Sequence, residues 1–166
     1  KSDLMNIYLL YKSMFVISSI TGLDSVPAIF KIPVIEVGIV PFNLQRTYSN
    51  LYLSLFKNYF SKTLNRNLTM KEIFENELFD IDGNSFLDDE LNLVHPTEND
   101  IKDACEEMMM KISKNYIQNN ENINNQEKFK KMYSNYIDKY CPHRSVNLNK
   151  GSIGESFLKR NKFLIS

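Results

Sequence analysis

The residues of this chain best suited to binding a charged ligand lie together in one polar turn early in the sequence. Ser19, Thr21 and Ser25 supply hydroxyl donors, and Gly22 lets a ligand approach the backbone closely. Ser25 is also a good helix N-cap, and the free N–H groups at a helix start attract phosphate. Asp24 argues against this interpretation, because a carboxylate repels phosphate unless it caps the helix or faces a ribose. The turn suggests a phosphate site, with a plain structural turn as the alternative.

The elements around this turn would hold it at the edge of a sheet. The apolar run at residues 15–17 predicts a buried strand, and residues 18–25 form the turn. A short helix is predicted over residues 26–31, with Pro27 in its first turn. A second apolar run, residues 34–37, predicts another strand. Strand, turn, helix and strand form a βαβ unit, which builds parallel sheets.

Composition sets broad limits on function. The 166 residues carry 20 basic and 20 acidic side chains, so nothing indicates nucleic acid or an anionic membrane as the main partner. No apolar run approaches the ~18 residues of a transmembrane helix. Cys105 and Cys141 lack a disulfide framework and predict reduced thiols. We therefore expect one cytoplasmic domain, with peripheral attachment at the inner membrane face left open.

The remaining chain is predicted to be rich in helix. Thr69 with Glu72, and Thr97 with Asp100, form capping boxes that begin two of the helices. An exposed asparagine-rich loop is predicted at residues 117–126. Helices are predicted over residues 4–12, 69–77, 98–116, 127–140 and 152–164, and an extended segment over residues 91–94. An extended segment is also favoured over residues 51–56, with a helix as the alternative because the aromatic residues of 48–60 recur every four positions. Five side chains of the helix at residues 127–140 are predicted to face inward: Phe129, Met132, Tyr133, Tyr136 and Ile137.

The chain starts on Lys1 and enters a helical pattern almost at once, which predicts that it is a fragment of a longer protein. The apolar residues of this first helix recur at helical spacing and are expected to form a buried stripe. They are Leu4, Ile7, Tyr8 and Tyr11.

The sequence contains no convincing metal motif. Asp80, Asp82 and Asn84 mimic the first ligands of a calcium loop, but Ser85 and Leu91 replace the required glycine and glutamate. A solvated turn is the better interpretation of this acidic segment. Four other potential ligands have a spacing that matches no zinc pattern: His95, Cys105, Cys141 and His143.

Several segments, in order along the chain, resemble one group of bacterial glycosyltransferases of surface-carbohydrate biosynthesis, such as capsule or O-antigen. That group looks like the two-domain, Rossmann-like GT-B class. The matching segments are residues 2–9, 21–34, 40–41, 68–73, 100–104, 107–108 and 153–158. Residues 117–150 match nothing in the group.

The resemblance implies an α/β fold: an incomplete Rossmann-like GT-B C-terminal domain with few parallel strands and a helix-rich C-terminal part. Residues 1–166 would be the donor-binding half, without the N-terminal half. The donor diphosphate would lie against the turn, which Thr21 to Ser25 match, including Leu23 and Asp24. Lys57 stands where the group has a lysine after an apolar run and would neutralise phosphate, although Leu55-Phe56 replaces the usual Ile-Pro. Arg46 is a weaker candidate.

The implied reaction is transfer of a sugar from a nucleotide-diphosphate sugar to a glycan or lipid-linked acceptor, without a cofactor or essential metal. A general base would come from the missing half, so no catalytic residue is assigned and the isolated fragment is expected to be inactive. Two alternatives remain: a nucleotide-sugar epimerase of the same fold, or a non-catalytic interaction domain or gene remnant. In the glycosyltransferase reading, Phe157 and Phe163 of the last helix would be partly exposed for want of the other domain.

Overall fold

The computed structural model describes residues 3–22, 25–45, 49–80, 90–143 and 150–166. Its helices are α1 (Asp3–Lys12), α2 (Ser25–Phe30), α3 (Met70–Glu75), α4 (Glu98–Ile112), α5 (Asn120–Tyr140) and α6 (Glu155–Arg160). Its strands are β1 (Val16–Ser18), β2 (Val34–Ile39), β3 (Tyr52–Phe56), β4 (Asn58–Ser61), β5 (Arg66–Asn67), β6 (Leu91–Val94) and β7 (Ser152–Ile153). Short 3-10 turns lie at Phe42–Leu44, Leu78–Asp80 and Lys162–Ile165.

Four strands form a parallel sheet in the order β1-β2-β3-β7. β1, α2 and β2 make the predicted βαβ unit, so this part of the prediction is confirmed. All five residues of β3 are buried, because β3 lies inside the sheet with helices packed against it. The chain is therefore an α/β protein whose parallel sheet and flanking helices agree with a Rossmann-like arrangement.

A second, antiparallel sheet in the order β5-β4-β6 adjoins the first. Lys57 is the single residue between β3 and β4, so the chain passes directly from one sheet into the other. β6 confirms the strand predicted at residues 91–94, but it pairs with β4 and not with the parallel strands. The predicted solvated turn lies mostly at residues 81–89, outside the described residues.

The C-terminal helices pack around a dense aromatic core. Both predicted capping boxes are present, at Thr69 with Glu72 and at Thr97 with Asp100. The inward face predicted for α5 is confirmed, with three of its residues almost completely buried: Phe129, Tyr133 and Ile137. Phe74 occupies the centre, with its ring stacked on Phe79 and Tyr136 at 5.0 Å centroid separations.

The exposed loop predicted at residues 117–126 is wrong from Asn120 onward, where α5 begins. Asn119, Asn122 and Gln126 form specific hydrogen bonds instead of being solvated loop residues. The side chain of Asn119 caps the helix by accepting a hydrogen bond from the Asn122 N–H. Gln126 is buried, donates to the Ile153 carbonyl at 2.6 Å and accepts from the Ile153 N–H at 3.1 Å. These tertiary hydrogen bonds could not be read from composition.

The single last helix predicted at residues 152–164 is also wrong. The segment begins as β7, continues as α6 and ends as a 3-10 turn. The strand forms because Ser152 and Ile153 pair with Leu53 and Ser54 of β3. Phe157, expected to be partly exposed, is only 1% exposed because α6 packs against α4 and α5.

The first helix has the predicted bounds to within a residue, but the burial predicted for its apolar stripe is wrong. α1 contains no buried residue, and Leu4 is 75% exposed. α1 packs against α2, where the rings of Tyr11 and Phe30 meet at 5.1 Å, and this contact leaves most of its apolar face open.

Candidate functional site

A cleft of about 640 Å³ lies at the carboxyl ends of the first three parallel strands. Residues just after β1, at the end of β2 and just after β3 contribute to it, together with the end of β6 and the start of α4. The described residues that line it are Ile17, Ser18, Ser19, Ile20, Val37, Gly38, Val40, Leu44, Lys57, His95 and Ile101. In open α/β sheets this edge is where ligands bind.

Gly38 brings the backbone of β2 close to the two basic side chains of the cleft. The pairing of β2 with β3 is irregular between Val37 and Ile39, and Gly38 has a φ of +75°. A Cβ atom added there would lie 3.5 Å from Lys57 Cε and 3.9 Å from His95 Nδ1. Glycine adopts this conformation without strain, and both side chains lie within van der Waals distance of its missing Cβ.

Lys57 and His95 are neighbours because the two sheets meet at this point. Asn58 of β4 pairs with Val94 of β6, so the residues immediately outside that pair, Lys57 and His95, are adjacent across the strands. The Lys57 N–H donates to the Ile39 carbonyl at 3.2 Å, which ties the lysine backbone to the end of β2. Neither side chain forms an ion pair or a side-chain hydrogen bond with another described residue.

The electrostatics of the cleft favour an anion. None of the described residues that line it is acidic. Asp100 is next to Ile101 on α4, but it is buried and accepts hydrogen bonds from Thr97 and from Arg160 Nε at 2.8 Å. Burial raises the pKa of Asp100, but the bonds from Thr97 and Arg160 outweigh it and hold the pKa below its ordinary value. Its charge is therefore balanced by its own partners.

Only some of the predicted site residues line the cleft. Ser19 and Lys57 both line the cleft, whereas Thr21 and Gly22 are exposed and lie outside the described lining. α2 begins at Ser25, one residue before the predicted start, and the Ser25 hydroxyl donates to the Gly22 carbonyl at 3.2 Å.

Two of those predicted residues, Leu23 and Asp24, lie outside the described part of the chain, as does Arg46. Within the described turn, Ile20 and not Gly22 has the left-handed conformation, with a φ of 61°. This conformation is unusual for a β-branched residue, and Ile20 lines the cleft.

Sequence reasoning missed Gly38 and considered His95 only as a metal ligand. A lone glycine inside a predicted strand is a known sign of a bulge or a close backbone approach, so Gly38 could have been identified. His95 gave no local signal, because its position depends on pairing between residues about 36 apart in the chain.

A second cluster of titratable groups lies between α4 and α6. Glu107 is buried, accepts from Lys111 Nζ at 2.6 Å and from the Glu155 N–H at 2.8 Å, and Glu155 in turn accepts from Tyr116 and Asn122. Burial raises the pKa of Glu107, against the opposing effect of Lys111. Because these groups bind one another, the cluster fastens the helices together and offers no open ligand position.

Across the described ranges, no group of three or more histidine, cysteine, aspartate or glutamate residues is arranged to hold a metal ion. In the same residues no helix combines the length and apolar character needed to cross a membrane. In comparisons with known proteins, no family model, no curated protein and no solved structure matches this chain.

Proposed function

We propose that the cleft binds the diphosphate of a nucleotide-sugar, and that the chain is the donor-binding part of a glycosyltransferase. The observation that carries the proposal is the convergence of Ser19, Gly38 and Lys57 at the carboxyl edge of three adjacent parallel strands. A hydroxyl, a backbone position without a side chain and a lysine with no ion-pair partner among the described residues together form a cradle for phosphate. The resemblance to surface-carbohydrate glycosyltransferases supplies the reaction class.

Within this proposal, each residue of the cradle has a distinct physical role. The Lys57 ammonium would offset charge that develops on the departing diphosphate, which lowers the barrier to breaking the bond between sugar and phosphate. Ser19 would orient a phosphate oxygen by donating its hydroxyl hydrogen. The cleft offers no carboxylate among its described lining residues to deprotonate an acceptor hydroxyl, so that group would come from elsewhere in the complete enzyme.

A non-catalytic interaction domain is the second candidate, and one observation favours it. The open face of α1 forms an almost wholly apolar groove of about 450 Å³. Its lining residues are Leu4, Met5, Ile7, Tyr8, Tyr11 and Phe30. Exposed apolar surface of this kind marks contact with another protein surface. The groove is apolar whereas the cleft is basic, so binding of a small phosphorylated ligand distinguishes the two candidate functions.

The test is ligand-observed NMR of this chain with a panel of uridine- and guanosine-diphosphate sugars. We expect saturation transfer to at least one of them and about a 10-fold weaker interaction for Lys57→Gln, because a charge-assisted phosphate contact is lost. Lys131→Gln is the matched control, since Lys131 is an exposed lysine on α5. Absence of transfer from every donor, or equal transfer with Lys57→Gln, would reject the proposal in favour of the interaction domain.

A further inference from the structure

We propose that His95 is a second phosphate-binding residue, and that it and Lys57 hold one phosphate group between them beside Gly38. The inference rests on the proposed function and narrows it, because it names the part of the donor that this end of the cleft recognises. The ligand class is a diphosphate, recognised by its charge and its oxygen atoms and not by the base or the sugar.

Both side chains lie against the same side of Gly38. Lys57 Cε and His95 Nδ1 lie within 4 Å of the position that a Cβ on Gly38 would take. A small anion lying over Gly38, in the cleft that both side chains line, could therefore accept a hydrogen bond from each of them. Because Gly38 has no side chain, nothing projects from the β2 backbone between that anion and the two donors.

The two donors are held by different parts of the fold. Lys57 follows the last residue of β3, while His95 follows the last residue of β6 in the antiparallel sheet. The Asn58 and Val94 pairing brings them together and fixes their separation. The antiparallel sheet therefore contributes a ligand-binding group to a cleft that belongs otherwise to the parallel sheet.

The chemistry of the pair suits phosphate better than a neutral ligand. Lysine carries a positive charge at neutral pH, and histidine donates an N–H in either protonation state. Neither side chain is engaged by another described residue, so binding would not require an existing ion pair to be broken. Ser18 and Ser19 place hydroxyl groups along the same cleft wall, where a second phosphate group could lie.

The test is a titration of the chain with inorganic pyrophosphate, followed by ¹H–¹⁵N NMR. We expect chemical-shift changes in fast exchange at the amides of Gly38 and its neighbours. The dissociation constant should be about 10-fold higher for His95→Gln. His143→Gln is the matched control, because His143 is the other histidine of the chain and is exposed. Lys57→Gln should weaken binding by a similar factor, and circular dichroism checks that each variant remains folded.

The possible outcomes separate this inference from the proposed function. Pyrophosphate binding that depends on His95, without binding of any nucleotide-sugar, supports the inference and rejects the glycosyltransferase assignment. Nucleotide-sugar binding that is equally strong in wild type and His95→Gln overturns the inference and leaves the assignment standing. Pyrophosphate shifts that are the same in the two proteins, or no binding by wild type, also overturn it.

Discussion

The parallel sheet is packed very differently at its β3 end, the packed side, and at its β1 end, the open side. β3 is buried along its whole length and faces an aromatic cluster centred on Phe74, whereas α1 beside β1 has no buried residue. The difference shows that apolar periodicity predicts which face of an element can be buried, and that burial itself depends on what the rest of the fold provides. The cleft lies between these regions, with Lys57 on the packed side and Ser19 on the open side.

The largest effect that we expect comes from opening the aromatic cluster. Phe74→Ala should lower the free energy of unfolding by about 3–5 kcal/mol, because it removes a fully buried ring and leaves a cavity. Phe30→Ala on α2, where the ring is 41% exposed, is the matched truncation on the open side and should cost less than about 1 kcal/mol. Urea unfolding followed by circular dichroism measures both. Similar losses would show that the two sides are equally packed.

If Phe74→Ala does not fold, Phe74→Leu keeps the comparison measurable. It retains most of the apolar volume but loses the stacking on Phe79 and Tyr136. We expect a loss of about 1–2 kcal/mol relative to wild type, still larger than the effect of Phe30→Leu.

A smaller effect is expected at the ion pair that joins α4 to α6 on the packed side. Asp100→Asn should cost about 2 kcal/mol at pH 7, because Arg160 loses a charged acceptor. The folded state holds the pKa of Asp100 below its ordinary value, so this contribution is present above about pH 4 and is lost as the pH falls through the folded pKa. Urea unfolding between pH 7 and pH 3 should show the two proteins converging. A constant difference over that range would contradict the assignment.

Gly38 lies in the cleft between the packed side and the open side. Gly38→Ala should lower the free energy of unfolding by about 1 kcal/mol, because alanine is strained at a φ of +75°. The added Cβ would also narrow the space beside Lys57 and His95 and weaken pyrophosphate binding. Gly22→Ala is the matched control, because nothing lies within 4 Å of its Cβ position and its φ is not in the left-handed region. Thermal unfolding and the pyrophosphate titration measure the two effects, and equal behaviour of the variants would remove Gly38 from the site.

The smallest effect is expected on the open side. Leu4→Ser should change the free energy of unfolding by less than about 0.5 kcal/mol, because this side chain is already 75% exposed. Chemical unfolding of the same chain provides the measurement. A loss above about 1 kcal/mol would mean that the α1 face is covered in solution.

Local sequence signals predicted much of the secondary structure because they act over a few residues. The capping boxes at Thr69 and Thr97 were found where predicted, and so was the parallel βαβ unit. The signals failed where distant contacts decide the outcome. Ser152 and Ile153 form a strand only because β3 accepts them, and the asparagines near residue 120 are ordered by a helix cap and by Glu155.

The candidate site was predicted in part for the same reason. Ser19 could be placed at the end of β1 from the strand pattern, and Lys57 came from the resemblance to a family. His95 joins them through pairing between β4 and β6, which no local pattern encodes. Ile20, and not Gly22, takes the left-handed conformation in the turn, which no local pattern in the sequence indicates.

At the β7 edge of the parallel sheet, the outward backbone groups of the edge strand are hydrogen-bonded to a side chain. The Gln126 amide occupies both the N–H and the carbonyl of Ile153, the groups that an added strand would need. An amide from a helix thus imitates the backbone of a neighbouring strand and removes this edge as a template for intermolecular pairing. Replacing Gln126 with an apolar residue would leave those two backbone groups without their partner. This side chain therefore opposes edge-to-edge pairing between folded chains at β7.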